Sequence, residues 1–421
     1  MKNSLSGQII IFSLAALLCL CSVPGCASGT DTVTAEVNTV SESAEDLTAS
    51  SENTSAYSDV STENNVQEPD ETFYEDYTED ISEDSPDGEN TDENPKGADE
   101  YDFTVCFAGD INLDENWETT SYLDSVGGDI AECISLELIE IMNDADIMCL
   151  NNEFTYSTRG EALAGKAYTF RADPSRVSVL EDLGVDVVTL ANNHVYDYGE
   201  EALLDTFDTL EDAGIEYFGA GKDLEEAMEP VYFEIDGKTV AFVGASRAEK
   251  YQLVTLQATE STPGILRCYD TELFLEVIEE ARGNADFVIA FVHWGTEYST
   301  VLEDVQLETG RLYLDAGCDA VIGAHSHCLQ GMEYYDGKPI VYSLGNYWFN
   351  DKTLDTMLLE LHFYGDDNEQ HLELSVIPAV QSDCRTQIAT SSDEQERIYD
   401  YIESISLNIT IDDGGKVAEA S

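Results

Sequence analysis

The sequence predicts an α/β layered domain that begins near Tyr101. Three observations lead there. Short apolar runs rich in β-branched residues alternate with longer amphipathic segments, as strands alternate with helices in layered folds. Some of those segments stop at a glycine, which tolerates the left-handed backbone beyond a helix end. Two late apolar runs are joined by a short polar stretch, as in an antiparallel hairpin.

The N-terminus stands apart from that domain. Lys2 precedes the apolar run IIIFSLAALLCLC, and SVPGCASG follows it. A basic start, an apolar core and a small-residue exit read as a secretory signal over residues 1–26. The run is short for a membrane span, which needs about 20 residues. VPGC resembles a bacterial lipobox with Cys26 as the lipidated residue. A lipid there tethers the protein to the outer face of a cytoplasmic membrane. Cleavage near Ala27 without lipid, giving a secreted protein, is the alternative.

Residues 27–100 are mostly Ser, Thr, Asn, Asp and Glu, with Lys96 as the basic residue. Such a segment buries too little surface to offset its ordering entropy, so it reads as a disordered acidic stalk. The whole chain carries a formal net charge of −69. That argues against nucleic acid and against docking on an anionic membrane, because no Lys/Arg cluster exists to neutralise phosphates. High negative charge of this kind keeps a surface protein soluble.

From residue 101 the elements follow in order. Strand-like runs are FTVCFAG, DIMCLNNE, DVVTLANN, TVAFVGAS, DFVIAFVHW, DAVIGAHSH and PIVYSLGN. Helical spacing in AECISLELIEIMNDA puts Ile134, Leu138 and Ile141 on one face. GEEALLDTFDTLEDAG does the same with Leu203, Phe207 and Leu210 and stops at Gly214, and TELFLEVIEEARG stops at Gly283. TMLLELHFYG and HLELSVIPAV form the hairpin, with DDNEQ as its turn. The main domain is read as 101–385. A closing helix, SDEQERIYDYIESIS, and a frayed tail occupy 386–421. Seven cysteines follow the signal, without a C-x-x-C pair, and several sit inside apolar runs as buried thiols. Cys328 stands apart because it directly follows a histidine motif.

Five strand ends carry metal-competent side chains. They offer Asp110 and Asn112; Asn151, Asn152 and Glu153; Asn192, Asn193, His194 and Asp197; His293 and Glu297; His325 and His327. Four of the six histidines fall in these segments. Open α/β sheets bind ligands beyond the carboxyl ends of their strands, so parallel neighbours bring these groups to one crevice. Singly, each has a structural explanation: a strand-terminal Asn is a turn former or a cap, and a histidine inside an apolar run is a satisfied core residue. Jointly they make a mixed nitrogen and oxygen ligand set suited to Mn, Fe or Zn. The set exceeds what one tetrahedral ion needs, and two ions with a bridging carboxylate would use it all.

The ordered motifs G-D, N-x-E, A-N-N-H-x-x-D-x-G, H-W-G-x-E, G-x-H-x-H and S-L-G-N resemble the CapA family of poly-γ-glutamate capsule biosynthesis proteins. The resemblance runs from about Tyr101 to about Cys384 and implies a fold similar to calcineurin-like metallophosphoesterases. That fold is an α/β/β/α sandwich of two mixed sheets. It further implies that Asp110 ligates a first metal and that Glu153 bridges. Asn193 and His293 would ligate a second metal, His325 would join them, and His327 would return to the first. His194 would act on the transition state or leaving group, with Asp197 orienting it or bracing the loop. Two positions depart from the parent pattern: Asn112 stands where that pattern has a histidine, and Glu153 where it has an aspartate.

Residues on the substrate side are read as Arg247, Glu297, Asn346 and Trp348, with Tyr347 and Phe349 beside them. Arg247 would be a scarce positive charge near an anionic substrate. Asn346 alone reads first as a turn after a strand. No Ser or Cys sits in a nucleophile motif, so the expected nucleophile is a metal-activated water. The implied substrate is a phosphoester or a bond of poly-γ-glutamate or another envelope polymer. Two other readings remain: a non-catalytic accessory partner of membrane polyglutamate synthase subunits, and a surface module that binds polymer.

Overall fold

In the computed structural model, residues 100–249, 255–366 and 368–420 are described. The signal segment, Cys26 and the acidic stretch up to residue 99 lie outside them. The described residues build two large sheets in three passes, beside two short two-stranded pairs.

The first pass lays down β1 (Tyr101–Ile111), β2 (Ile147–Asn152), β3 (Val187–Thr189) and β4 (Glu216–Phe218), each parallel to the next. Helix α1 (Leu136–Asp144) links β1 to β2, and α2 (Glu200–Ala213) links β3 to β4. The second pass makes a separate sheet. There β5 (Val231–Ile235) and β6 (Lys238–Ser246) form a hairpin, and β7 (Phe287–His293) runs parallel to β6. Next, β8 (Ala320–Ala324) runs parallel to β7. The hairpin of β9 (Leu329–Tyr335) and β10 (Lys338–Leu344) closes that edge. Helices α3 (Glu272–Asn284) and α4 (Asp304–Ala316) are its crossovers. The third pass returns to the first sheet. Short β11 (Asn346–Trp348) and long β12 (Leu354–Gly365) both pair with β1, the former parallel and the latter antiparallel. Beyond them lie β13 (Gln370–Ser382), β14 (Arg385–Ile388), β15 (Ile409–Ile411) and β16 (Lys416–Glu419). A helix, α5 (Ser392–Ile405), precedes the last two.

Period-two alternation sorts each strand between two cores. On β1, Val105 and Phe107 face the second sheet, where they join Val240, Phe242, Ile289, Phe291 and Ile322. Their neighbours Cys106 and Ala108 face outward, with Leu138 and Met142 of α1 and Leu203, Phe207 and Leu210 of α2. The second sheet repeats the scheme: Val243, Val288, Ala290 and Val292 pack on Phe274, Val277 and Ile278 of α3 and Tyr313 of α4. Three cores between four layers make the expected α/β/β/α sandwich, and both sheets are mixed.

Three local expectations change. Helix α3 runs through Gly283 and ends at Asn284, followed by an extended Ala285. The helix α1 begins only at Leu136, and Met142 rather than Ile141 is its second buried contact. The C-terminal tail pairs instead of fraying: β16 hydrogen-bonds β13, and Ile409 and Val417 enter the inter-sheet core. Apolar residues at those positions supply the burial that holds the last strands.

The sandwich brings the carboxyl ends of β1, β2 and β3 against those of β7 and β8. The chain crosses from second to first sheet at Gly345, whose carbonyl accepts the Asp110 N–H at 2.8 Å. A Cβ on Gly109 would lie 2.0 Å from that carbonyl oxygen, so the close approach requires glycine there.

Candidate metal centre

The strand ends deliver the polar groups to one buried cluster. Asp110 ends β1, and parallel register sets it beside Asn151 of β2 and Asn346 of β11. Asn151 Nδ2 donates to Asp110 Oδ1 at 2.7 Å and lies 3.5 Å from Glu153 Oε2. Asn192 builds the next turn: its Oδ1 accepts the backbone N–H groups of His194 and Val195 at 3.0 and 2.9 Å. That turn is an Asx-type device, in which a short amide side chain replaces a backbone partner. It aims Asn193 at the cluster and His194 at its rim.

His293 sits at the centre. Its Nε2 faces Asn193 Oδ1 at 2.8 Å, His325 Nδ1 at 3.1 Å and Glu153 Oε1 at 3.4 Å. One ring nitrogen carries at most one proton, yet three Lewis bases converge on it. His327 Nδ1 lies 2.8 Å from Asn346 Oδ1 and 3.4 Å from Asp110 Oδ2. Both histidines of the G-x-H-x-H loop have positive φ, 94° at His325 and 53° at His327. Few non-glycine residues adopt that backbone, and such strain gathers at functional sites.

Two overlapping ligand groups emerge among the described residues: Glu153 with His293 and His325, and Asp110 with Glu153 and His327. In each, one ligand atom per residue lies within 4.8 Å of the others, and Glu153 belongs to both. Asp110 Oδ2 and Glu153 Oε1 are buried without a hydrogen-bond partner. Buried carboxylate oxygens left bare are costly unless a cation completes them. The residues therefore fit a divalent ion.

Protonation follows the same crowding. Burial holds Glu153 well above the ordinary carboxylate range, with Asp110 adding to the effect. Burial lowers His293 to about 3 and pushes His325 well below its usual value. His327 goes the other way: burial opposes its charge, but Glu153 and Asp110 overcome this and raise it to about 9. Two acids sharing one small volume need positive charge, and without an ion His327 supplies it.

Beside the cluster lies a dyad. His194 Nδ1 is 2.7 Å from Asp197 Oδ2, and Asp197 is fully buried. Asp197 also accepts Phe170 N–H at 2.8 Å and Lys166 Nζ at 2.6 Å. Burial, helped by Lys166, holds His194 at about 4 against the pull of Asp197. His194 and His327 line a cavity of about 430 Å³ together with Phe349 and Glu297.

Four expectations meet a different arrangement. Asn112 is buried, but its Oδ1 is taken by Asp114 N–H at 2.8 Å, which leaves its Nδ2 without a partner. Trp348 lies fully in the core and donates Nε1–H to Cys384 O at 2.8 Å, away from any substrate. The β1–β11 pairing shifts register between Asp110 and Ile111, and Asn346 reaches the site while Trp348, two residues on, lies in the packing. Tyr347 is core as well, and only Phe349 of that aromatic trio lines the cavity. Arg247 follows β6 directly, and its backbone N–H reaches His293 O. Its guanidinium instead lies 4.5 Å from the Tyr269 ring centroid and is not among the cavity-lining groups. Cys328 is partly exposed, its thiol is pushed up by burial, and all seven cysteines among the described residues are free.

Sequence reasoning missed Lys166. It sits in ALAGKAYTF, a loop with no periodic signal. Its scarcity was the one clue, since the chain has 18 basic residues against 87 acidic ones. Here it ties the Asn193 carbonyl to Asp197.

The family described as bacterial capsule synthesis protein PGA_cap matches residues 104–351, which span the whole ligand set. The PGA biosynthesis protein CapA of Bacillus subtilis is 34% identical over 215 residues, which cover 50% of this chain and 55% of that protein. The capsule biosynthesis protein CapA of Bacillus anthracis is 32% identical over 243 residues, 56% of this chain and 57% of that protein. The chain thus spans little more than half the length of these relatives. Among solved structures, a hypothetical protein from Thermus thermophilus aligns at a TM-score of 0.41 and 17% identity, covering 66% of this chain and 98% of that one. With the family match extending over more than half of its length, the chain belongs to the bacterial capsule synthesis protein family PGA_cap.

Proposed function

We propose that this domain is a metal-dependent hydrolase acting on a phosphoester or polymer bond in poly-γ-glutamate capsule or cell-envelope polymer synthesis. The observation that carries the reading is the pair of ligand groups sharing Glu153 at the inner end of a cavity that His194 also lines. Asp110, Glu153 and His327 would hold one ion, and Glu153, His293 and His325, with Asn193, a second. Mn, Fe or Zn suits such a donor set. When bound, a divalent ion supplies Lewis acidity to a phosphoryl or carbonyl oxygen and acidifies water. The chain's own residues do the rest. Asp197 accepts from His194 Nδ1 and so leaves Nε2 to hold or move a proton at the reacting group. Lys166 braces Asp197 and the Asn193 carbonyl, which keeps that ring in place. Phe170, with its ring centroid 4.3 Å from that of His194, shields the dyad from water.

Attachment through Cys26 and residence at the outer face of the cytoplasmic membrane belong to the same proposal. Cys26→Ser should release the protein or leave an unprocessed precursor, and unchanged processing would count against the lipid. The main test is metal analysis of the purified chain beside hydrolysis assays with Mn, Fe and Zn. Bound metal with turnover of a phosphoester supports the reading, whereas full metal without turnover of any phosphoester or polyglutamate refutes it.

One observation favours a second reading. Asn112, which stands where the parent pattern has a histidine, already gives one Oδ1 lone pair to the Asp114 N–H, which weakens it as a ligand. A site of that kind suits a non-catalytic accessory subunit of a polyglutamate synthesis or export complex. Co-purification with membrane synthase subunits, independent of bound metal, would support it.

A further inference from the structure

The cavity at the metal centre has an aromatic wall that metal binding does not explain. Trp117, Phe170 and Phe349 meet edge to face, with ring centroids 5.0, 5.6 and 6.4 Å apart. Trp117 is fixed by Nε1–H donating to Phe349 O at 2.5 Å. Tyr168 stacks beside Phe170 at 6.5 Å and is 62% exposed, so its ring covers no core. A second exposed ring, Tyr298, is held in a left-handed backbone by its N–H donating to Ser326 O at 2.6 Å.

Charge decides what such a wall receives. The remaining lining includes three carboxylates, Glu118, Glu297 and Asp351, against one lysine, Lys352. A polyanion would meet more carboxylates than lysines in that lining. A cationic occupant finds its stacking position partly taken, because Lys352 Nζ already lies 3.7 Å from the Tyr298 ring centroid. The complementary occupant is an uncharged ring. It needs an apolar C–H face for the aromatic wall and hydroxyls that donate to the carboxylates. A site built to pair hydroxyls rejects analogues that lack them.

We propose that the cavity is a pyranose subsite: it seats a neutral sugar ring beside the group held at the metal centre. The domain then selects a glycosyl-bearing phosphoester over a polyanionic glutamate chain. This rests on reading the metal centre as the reacting end of the cavity.

Trp117 makes the test direct. The chain has three tryptophans, and the other two, Trp294 and Trp348, are fully buried. Tryptophan fluorescence of the full chain supplied with zinc would be followed during titration with glucose 1-phosphate, inorganic phosphate and γ-linked triglutamate. Methyl glucoside would be titrated into the metal-stripped chain. Glucose 1-phosphate is expected to bind more tightly than inorganic phosphate. Tyr168→Ala should shrink that preference about two- to tenfold, the worth of one aromatic contact. Trp117→Phe should abolish the signal. If methyl glucoside alone quenches Trp117 in a Tyr168-dependent way while phosphate does not bind, the subsite stands and only the hydrolase reading fails. Triglutamate or a nucleoside monophosphate binding more tightly than the sugar phosphate would overturn the inference. So would a Trp117 signal indifferent to both sugars, or a sugar preference unchanged in Tyr168→Ala.

Discussion

Lys166→Met removes a cation that reaches Asp197 in the interior. The side chains are 7% and 0% exposed, and the Nζ to Oδ1 distance is 2.6 Å. Methionine keeps much of the apolar stem but leaves the buried carboxylate with two donors, Phe170 N–H and His194 Nδ1–H. Removing one partner of a buried pair costs about 3–5 kcal/mol, and the two surviving donors place the expectation near the lower bound, about 3 kcal/mol. In a domain of this size that lowers the melting temperature by roughly 4–5 °C. The sign of the pH dependence follows from His194. Lys166 helps hold that imidazole at about 4, after burial as the main cause. Without Lys166 the folded-state proton affinity of His194 rises, so less stability is lost to that ring in the variant than in wild type as the pH falls below the unfolded value of about 6.5. The deficit should therefore be larger at about pH 8 than at about pH 5.5. Thermal melts of metal-stripped wild type and variant at both pH values measure it. Adding Asp197→Asn should cost less in the Lys166→Met background than in wild type, by at least about 1 kcal/mol of coupling. A deficit under about 1 kcal/mol at both pH values, or a larger one in acid, would refute the reasoning.

Three further outcomes follow from the same geometry. His194→Ala should keep bound metal while losing about 10²–10⁴-fold in turnover, and His325→Ala should lose both; equal metal loss would make His194 a ligand. In the metal-stripped chain, His194 at about 4 and His293 at about 3 stay neutral while the unfolded chain takes up protons, so denaturant stability should fall as pH drops from about 6.5 toward 4. His327 at about 9 acts oppositely: its contribution is complete below about 6.5 and is lost as pH rises toward 9, and added divalent ion should flatten that alkaline limb while steepening the acid one. Trp348→Phe should cost about 2 kcal/mol in denaturant melts through lost packing and the lost bond to Cys384 O, without changing sugar or phosphate affinity, since Trp348 is core.

Much of the fold is legible in residue order because its signals are local. The run FTVCFAG alternates between two apolar faces, and both faces are buried, as β1 shows with Phe107 inward and Cys106 outward. Leu203, Phe207 and Leu210 repeat at helical spacing, and Gly214 takes the left-handed conformation that ends the helix. Gly283 misleads for a related reason: the same residue type stands one position inside a helix whose length is set by packing on β6 and β7.

Side-chain chemistry at the strand ends is likewise written in the sequence. Asp110, Glu153, Asn193, His293, His325 and His327 each close an apolar run, and parallel strands carry their ends to one side. Which of the neighbouring groups join them is another matter. Trp348 and Asn346 are two residues apart in one motif, yet one is core and the other touches His327. Arg247 follows its strand as closely as the candidate ligands follow theirs, but Tyr269, distant in sequence, captures its guanidinium. Lys166 carries no local signal, because its partners lie 27 and 31 residues away across a turn that only the packed sandwich closes. Sequence by itself determined the layers and the ligand types, since both depend on periodicity and residue chemistry over a few positions. Tertiary structure decided the shared place of Glu153 in both candidate ligand groups, the burial of the Lys166–Asp197 pair and the aromatic wall, because each needs contacts between segments that meet only after two sheets have packed face to face.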